Sequence, residues 1–60
     1  MNYTLVINDG IRDVKTHRHT EFSASLAFIQ AIAWAMLEDE DYNIYVVNNN
    51  DDEVRWEATV

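Results

Sequence analysis

Carboxylates are the densest chemistry in this chain, because Glu38-Asp39-Glu40-Asp41 and Asp51-Asp52-Glu53 put seven acids into two short runs. General acid–base work needs two carboxyls in different, partly buried surroundings that separate their pKa values. Consecutive acids at the ends of elements share one solvated surrounding instead. A calcium loop would use Asp39, Asp41 and Asn43 as its first three ligands, but Ile44 stands where a glycine must turn the loop and Asn50 where a bidentate Glu must close it. His17 and His19 would point to one face of a strand, as zinc or nickel ligands do, with no third ligand close in sequence. Ser23 and Ser25 lie where a helix begins, so capping accounts for them, and there is no nucleophile elbow or glycine-rich phosphate loop. These residues point to no catalytic site, no metal and no cofactor.

What the acids do support is a field. Residues 1–37 balance Asp9, Asp13 and Glu21 against Arg12, Lys15 and Arg18, whereas residues 38–60 hold eight acids against Arg55 alone, so the whole net charge of −7 belongs to the second part. An anionic pole repels nucleic acid and anionic membrane, and attracts basic protein surfaces, including those that hold DNA or RNA. The run 38–41 also closes a helix whose C-terminus already bears partial negative charge, a conflict of about 0.3–1 kcal/mol for each acid in the last turn. A local rule broken in this way marks a candidate functional segment. Were the helix to continue through the run, its charges would rise about 1.5 Å apiece, close to the roughly 1.7 Å per charge of duplex DNA.

The elements that position these groups follow from length and periodicity. Sixty residues make a single domain, 1–60, that buries only about 60% of its unfolded surface and so gains from a partner or a second copy. With no cysteine, a composition 48% hydrophobic and 12% aromatic must carry the fold by burial, and it is too apolar for a disordered acidic tail. Asp9-Gly10 between two alternating runs predicts a two-residue type I′ hairpin that pairs Asn8 with Ile11, Leu5 with Val14 and Tyr3 with Thr16. Tyr3, Leu5, Ile7 and Val14 then share the core face, and Thr4, Asp13 and Lys15 the other. Ser23 is the expected N-cap of a helix running from Ala24 to about Glu38 or Asp39. Its large residues, Leu26, Phe28, Ile29, Ile32, Met36 and Leu37 with Ala33, are expected to cover the sheet. That leaves Ala24, Ala27, Ala31, Ala35 and Trp34 toward solvent, a surface suited to close approach by a second helix with Trp34 as anchor. Tyr42, Ile44 and Val46 alternate on one strand and Val54, Trp56, Ala58 and Val60 on another, joined by the polar loop 48–53. The expected fold is α+β: ββαββ, an antiparallel four-stranded sheet with one helix on one face, its other face carrying Val6, Tyr45, Val47 and Arg55.

The size, the acidity, the hairpin–helix–hairpin order and the lack of an active site resemble small virus-encoded inhibitor proteins of bacteria. That group includes DNA mimics that block uracil-DNA glycosylase, inhibitors of host RNA polymerase and anti-CRISPR proteins. The resemblance implies a non-enzymatic bacteriophage inhibitor that uses Glu38, Asp39, Glu40, Asp41, Asp51, Asp52 and Glu53 to occupy the basic nucleic-acid-binding site of a host protein, in the host cytoplasm. Trp34, Tyr42 and Tyr45 are the apolar contacts expected to add specificity. The alternative is a homodimeric structural or regulatory module, paired through Ala27, Ala31 and Trp34, in which the acids serve solubility. Neither direct nucleic-acid binding nor membrane association is expected. The N-terminal residues carry no basic or cleavable apolar segment, and the stretch 26–37 is too short to span a bilayer, which predicts a cytoplasmic protein.

Overall fold

The computed structural model describes residues 2–60. Strands β1 (Asn2–Asn8) and β2 (Asp13–Thr20) lead into helix α1 (Glu21–Leu37), followed by β3 (Asn43–Asn48) and β4 (Val54–Thr59). All pairings are antiparallel and the strand order is β2-β1-β3-β4, so both hairpins meet through their first strands and β2 and β4 are the edges. One helix lies across one face, packed on β1, β2 and β3. The fold is the expected α+β ββαββ sheet.

The first hairpin differs from expectation in its turn, and the difference moves the side chains of β2 beyond Asp13 to the other face. Asn8 pairs with Asp13, Ile7 with Lys15, Leu5 with His17 and Tyr3 with His19, with an irregularity beside Ile7 and Asn8. The connection is four residues, 9–12, because side chains outbid the two-residue turn. Asp9 Oδ1 accepts the Ile11 and Arg12 amides at 2.9 and 3.0 Å, and Asn8 Oδ1 accepts the Gly10 amide at 2.7 Å. Gly10 alone takes a positive φ here, +97°, whereas type I′ would require one at Asp9 as well. Val14 is consequently exposed, and Lys15, His17 and His19 come round to the helix side of the sheet.

The helix begins three residues earlier than the expected Ser23 cap. Thr20 is the N-cap: its hydroxyl accepts the Ser23 amide at 3.2 Å while Ser23 Oγ accepts the Thr20 amide at 3.0 Å, a reciprocal capping box. Phe22, placed outside the helix by the sequence reading, lies within its first turn.

The helix is turned well away from the face expected: of the large residues expected to cover the sheet, only Phe28 and Ile32 pack against the core. Ala24 and Ala35 are 1% exposed and Ala31 is buried with them, whereas Leu26, Ile29, Met36 and Leu37 are 51, 63, 71 and 88% exposed and Phe22 78%. The reason lies in the sheet. Tyr3, Leu5, Ile7, Ile44 and Val46 fill the inter-layer space from below, and side chains no larger than alanine let the helix come down on them. Bulk is supplied at the flanks, where Phe28 meets Trp56 with centroids 6.0 Å apart and Trp34 meets Tyr42 at 5.0 Å. Trp34, Ala27 and Ala31 thus pack against the core cluster instead of facing solvent.

The second hairpin follows its alternation more closely. Tyr42, Ile44 and Val46 are buried on the helix side, with Trp56 and Ala58 opposite Val46 and Ile44. An irregularity between Val46 and Val47 pairs Val54 with Val47, which takes Val54 off the expected core face and leaves it exposed. On the sheet's other face Val6 is buried and Tyr45 and Val47 are half-buried. Among the described residues no helix is long and apolar enough to cross a membrane.

Candidate functional site

The two acidic runs sit at opposite ends of β3, one before it and one after it. Six residues of strand separate them, roughly 20 Å at about 3.3 Å per residue. The first run is not helical. Glu38 is the C-cap in extended backbone, its amide donating to Ala35 O at 3.2 Å, so the helix stops as the acids start. This removes the 1.5 Å helical charge ladder and leaves no acid inside the last helical turn, although Glu38 caps it. Glu40 accepts a hydrogen bond from Tyr42 Oη at 3.3 Å. Burial, then the neighbouring charge of Glu40, raises the Tyr42 pKa above its usual value of 10.0.

The second run is held by its own loop. Asp52 N donates to Asn48 O at 2.8 Å, Asn48 N to Glu53 O at 2.9 Å, and Asp51 Oδ1 accepts the Glu53 amide at 3.0 Å. Asp52 takes the left-handed conformation, φ +58°, which Asp tolerates better than most residues. Thr4 Oγ1 donates to Asn49 Oδ1 at 2.7 Å and ties the loop to β1. All seven acids are exposed. Among the described residues the one ion pair is Glu21 with Arg55, 4.0 Å apart, so both runs keep their full charge.

Beside these ends lie two apolar surfaces. One is an open groove of about 390 Å³ between β2 and α1, floored by Leu5 and Ile7 and walled by Lys15, His17, His19 and Trp34. Lys15 Nζ stands 5.0 Å from the Trp34 ring centroid, a cation–π contact. His19 Nδ1 is 3.4 Å from Ser23 Oγ, and its Nε2 is buried without a partner. His17 and His19 do share a face, 6.3 Å apart, but no three metal-ligating side chains converge among the described residues.

The other surface is the outward face of α1, with Phe22, Leu26, Ile29, Ala33, Met36 and Leu37. No charged side chain occurs from Phe22 to Leu37. The sheet covers only one side of this helix, and the outward side is apolar except for Ser23, Ser25 and Gln30 at its flanks. Of the outward residues, Leu26, Ile29, Ala33, Met36 and Leu37 are the ones expected from the sequence to cover the sheet. The spacing 22, 26, 29, 33 and 36 steps by four and three alternately and places these positions along one side of the helix.

Of the other residues expected to bind a partner, Tyr42 is a core residue whose backbone pairs with Val60 at 2.9 and 2.8 Å, and Tyr45 lies half-buried on the far face of the sheet. No protein-family model, curated protein or solved structure matches this chain.

Proposed function

We propose that this protein is a non-catalytic inhibitor that binds the basic, nucleic-acid-holding surface of another protein in the bacterial cytoplasm. The observation that carries this reading is the pair of solvated acidic ends, seven carboxylates without a cation partner among the described residues, standing roughly 20 Å apart. Two fixed anionic ends at that separation meet two cationic regions of a groove that tracks a phosphate backbone, and the field between them speeds encounter. The reading is tested by affinity capture from bacterial lysate across a salt series, with wild type and the quadruple variant Asp39→Asn, Asp41→Asn, Asp51→Asn, Asp52→Asn. Basic nucleic-acid-handling proteins are expected on the wild type at low salt, released as salt rises and lost with the variant. Capture indifferent to both salt and the four substitutions would contradict it.

The exposed apolar face of α1 favours a second reading, a homodimeric structural or regulatory module whose acids serve solubility. The two readings are compatible, since a dimer can carry the acidic ends.

A further inference from the structure

We infer that the outward face of α1 is the seam of a symmetric dimer in which two copies of this chain pair their helices antiparallel. The inference deepens the homodimer reading and does not depend on the acidic one.

The occupant follows from what the face offers. Phe22, Leu26, Ile29, Met36 and Leu37 are 51–88% exposed, and covering them in both copies would approach the roughly 1,200 Å² at the lower edge of stable protein–protein interfaces. The stripe has the alternating four–three spacing that lets one helix seat its side chains between those of another. Its flanks are Ser23, Ser25, Gln30 and Ile32, with no charge to select a partner of opposite sign. A basic amphipathic partner would find nothing to pair with, and a lipid surface would meet acids at both ends of the molecule and no lysine or arginine on the helix. A surface this neutral on a chain of net charge −7 is best matched by its own copy, which brings the same uncharged stripe.

Orientation follows from volume and charge. A parallel pair would set Ala33 against the partner's Ala33 and leave a void, and it would bring the two 38–41 acidic runs side by side. An antiparallel pair sets Phe22 over the partner's Ala33, large against small, and Leu26 beside the partner's Ile29. It carries each acidic run to the end of the seam where the partner helix begins, the end at which amides of the first turn favour negative charge. The one acid in that turn, Glu21, is already drawn to Arg55 at 4.0 Å.

The chain has no cysteine, so introduced thiols report without background. Sedimentation at about 100 µM should show a dimer, weakened at least tenfold by Ile29→Asp with circular dichroism unchanged. Leu26→Asp serves if Ile29→Asp loses helix. Dimerisation should strengthen as salt screens the like charges of the two copies, opposite to capture of a basic partner, so the two readings fail separately. Under oxidation a mixture of Phe22→Cys and Ala33→Cys chains should form the crossed disulfide, while neither chain should link to itself. In this register residue 22 lies roughly 16 Å along the seam from residue 22 of the other copy, as does residue 33 from residue 33, and a disulfide needs its Cα atoms within about 7 Å. A monomer at this concentration, a dimer indifferent to Ile29→Asp, or self-linkage of Phe22→Cys would each overturn the inference.

Discussion

Ile44 and Val46 are the two large side chains with no exposed surface, both on the central strand β3 and beneath the alanines of α1. Truncating Ile44 to alanine removes three carbons where neighbours on β1, β4 and α1 cannot all close in. A loss of about 2–5 kcal/mol in urea unfolding is expected, a large fraction of a domain this small. Tyr42 supplies a pH signature from the same core. Its raised pKa means that the folded state holds the phenol proton more tightly than the unfolded chain does, first through burial and then through the charge of Glu40. The stabilisation is complete below the unfolded value of 10.0 and is lost as pH rises through the higher folded value. The difference in tyrosinate absorbance between wild type and Tyr42→Phe should therefore show the Tyr42 phenol ionising above its ordinary range, and Tyr42→Phe should abolish the alkaline loss of stability that accompanies it. Asp9 runs the other way, its carboxyl held below the ordinary 3.8 by the amides of Arg12 and Ile11, so the first loop loosens only in acid.

Elements were legible in the sequence where hydrogen-bonding type decided them and illegible where side chains competed. The alternation of Tyr42, Ile44 and Val46 marked β3 and its buried face, and Asp9-Gly10 marked a turn. The turn's length was not legible, because the carboxylate of Asp9 bonds two amides further on and adds residues that a count of turn-formers does not contain. One consequence is that Lys15, His17 and His19 line the helix groove, although the two-residue register sends Lys15 to the far side. The helix face was misread for a different reason. Size ranks Leu26, Ile29, Met36 and Leu37 as core, yet the sheet already fills the layer with Tyr3, Leu5, Ile7, Ile44 and Val46, and the helix can approach only on its small side. Ala35→Leu should accordingly force the layers apart and cost about 1–3 kcal/mol. Met36→Ala, on the exposed face, should leave the stability of the monomer nearly unchanged, as denaturation at high dilution would show.

At the scale of the molecule, like charge and apolar surface are kept apart. The acids occupy the two ends of β3, while the helix between them carries none from Phe22 to Leu37. The anionic ends act at a distance and weaken with salt, and the helix face acts in contact and strengthens with it. This division rests on one structural claim, that α1 lays its alanines on the sheet and turns its large residues outward. Thiol reactivity of Ala35→Cys and Leu37→Cys, measured in dilute protein, tests it most directly. Position 35 is 1% exposed and position 37 is 88% exposed. The Leu37→Cys thiol should react at nearly the rate of a free cysteine and the Ala35→Cys thiol at least about a hundredfold more slowly, limited by local opening. Equal rates, or the reverse order, would contradict the account.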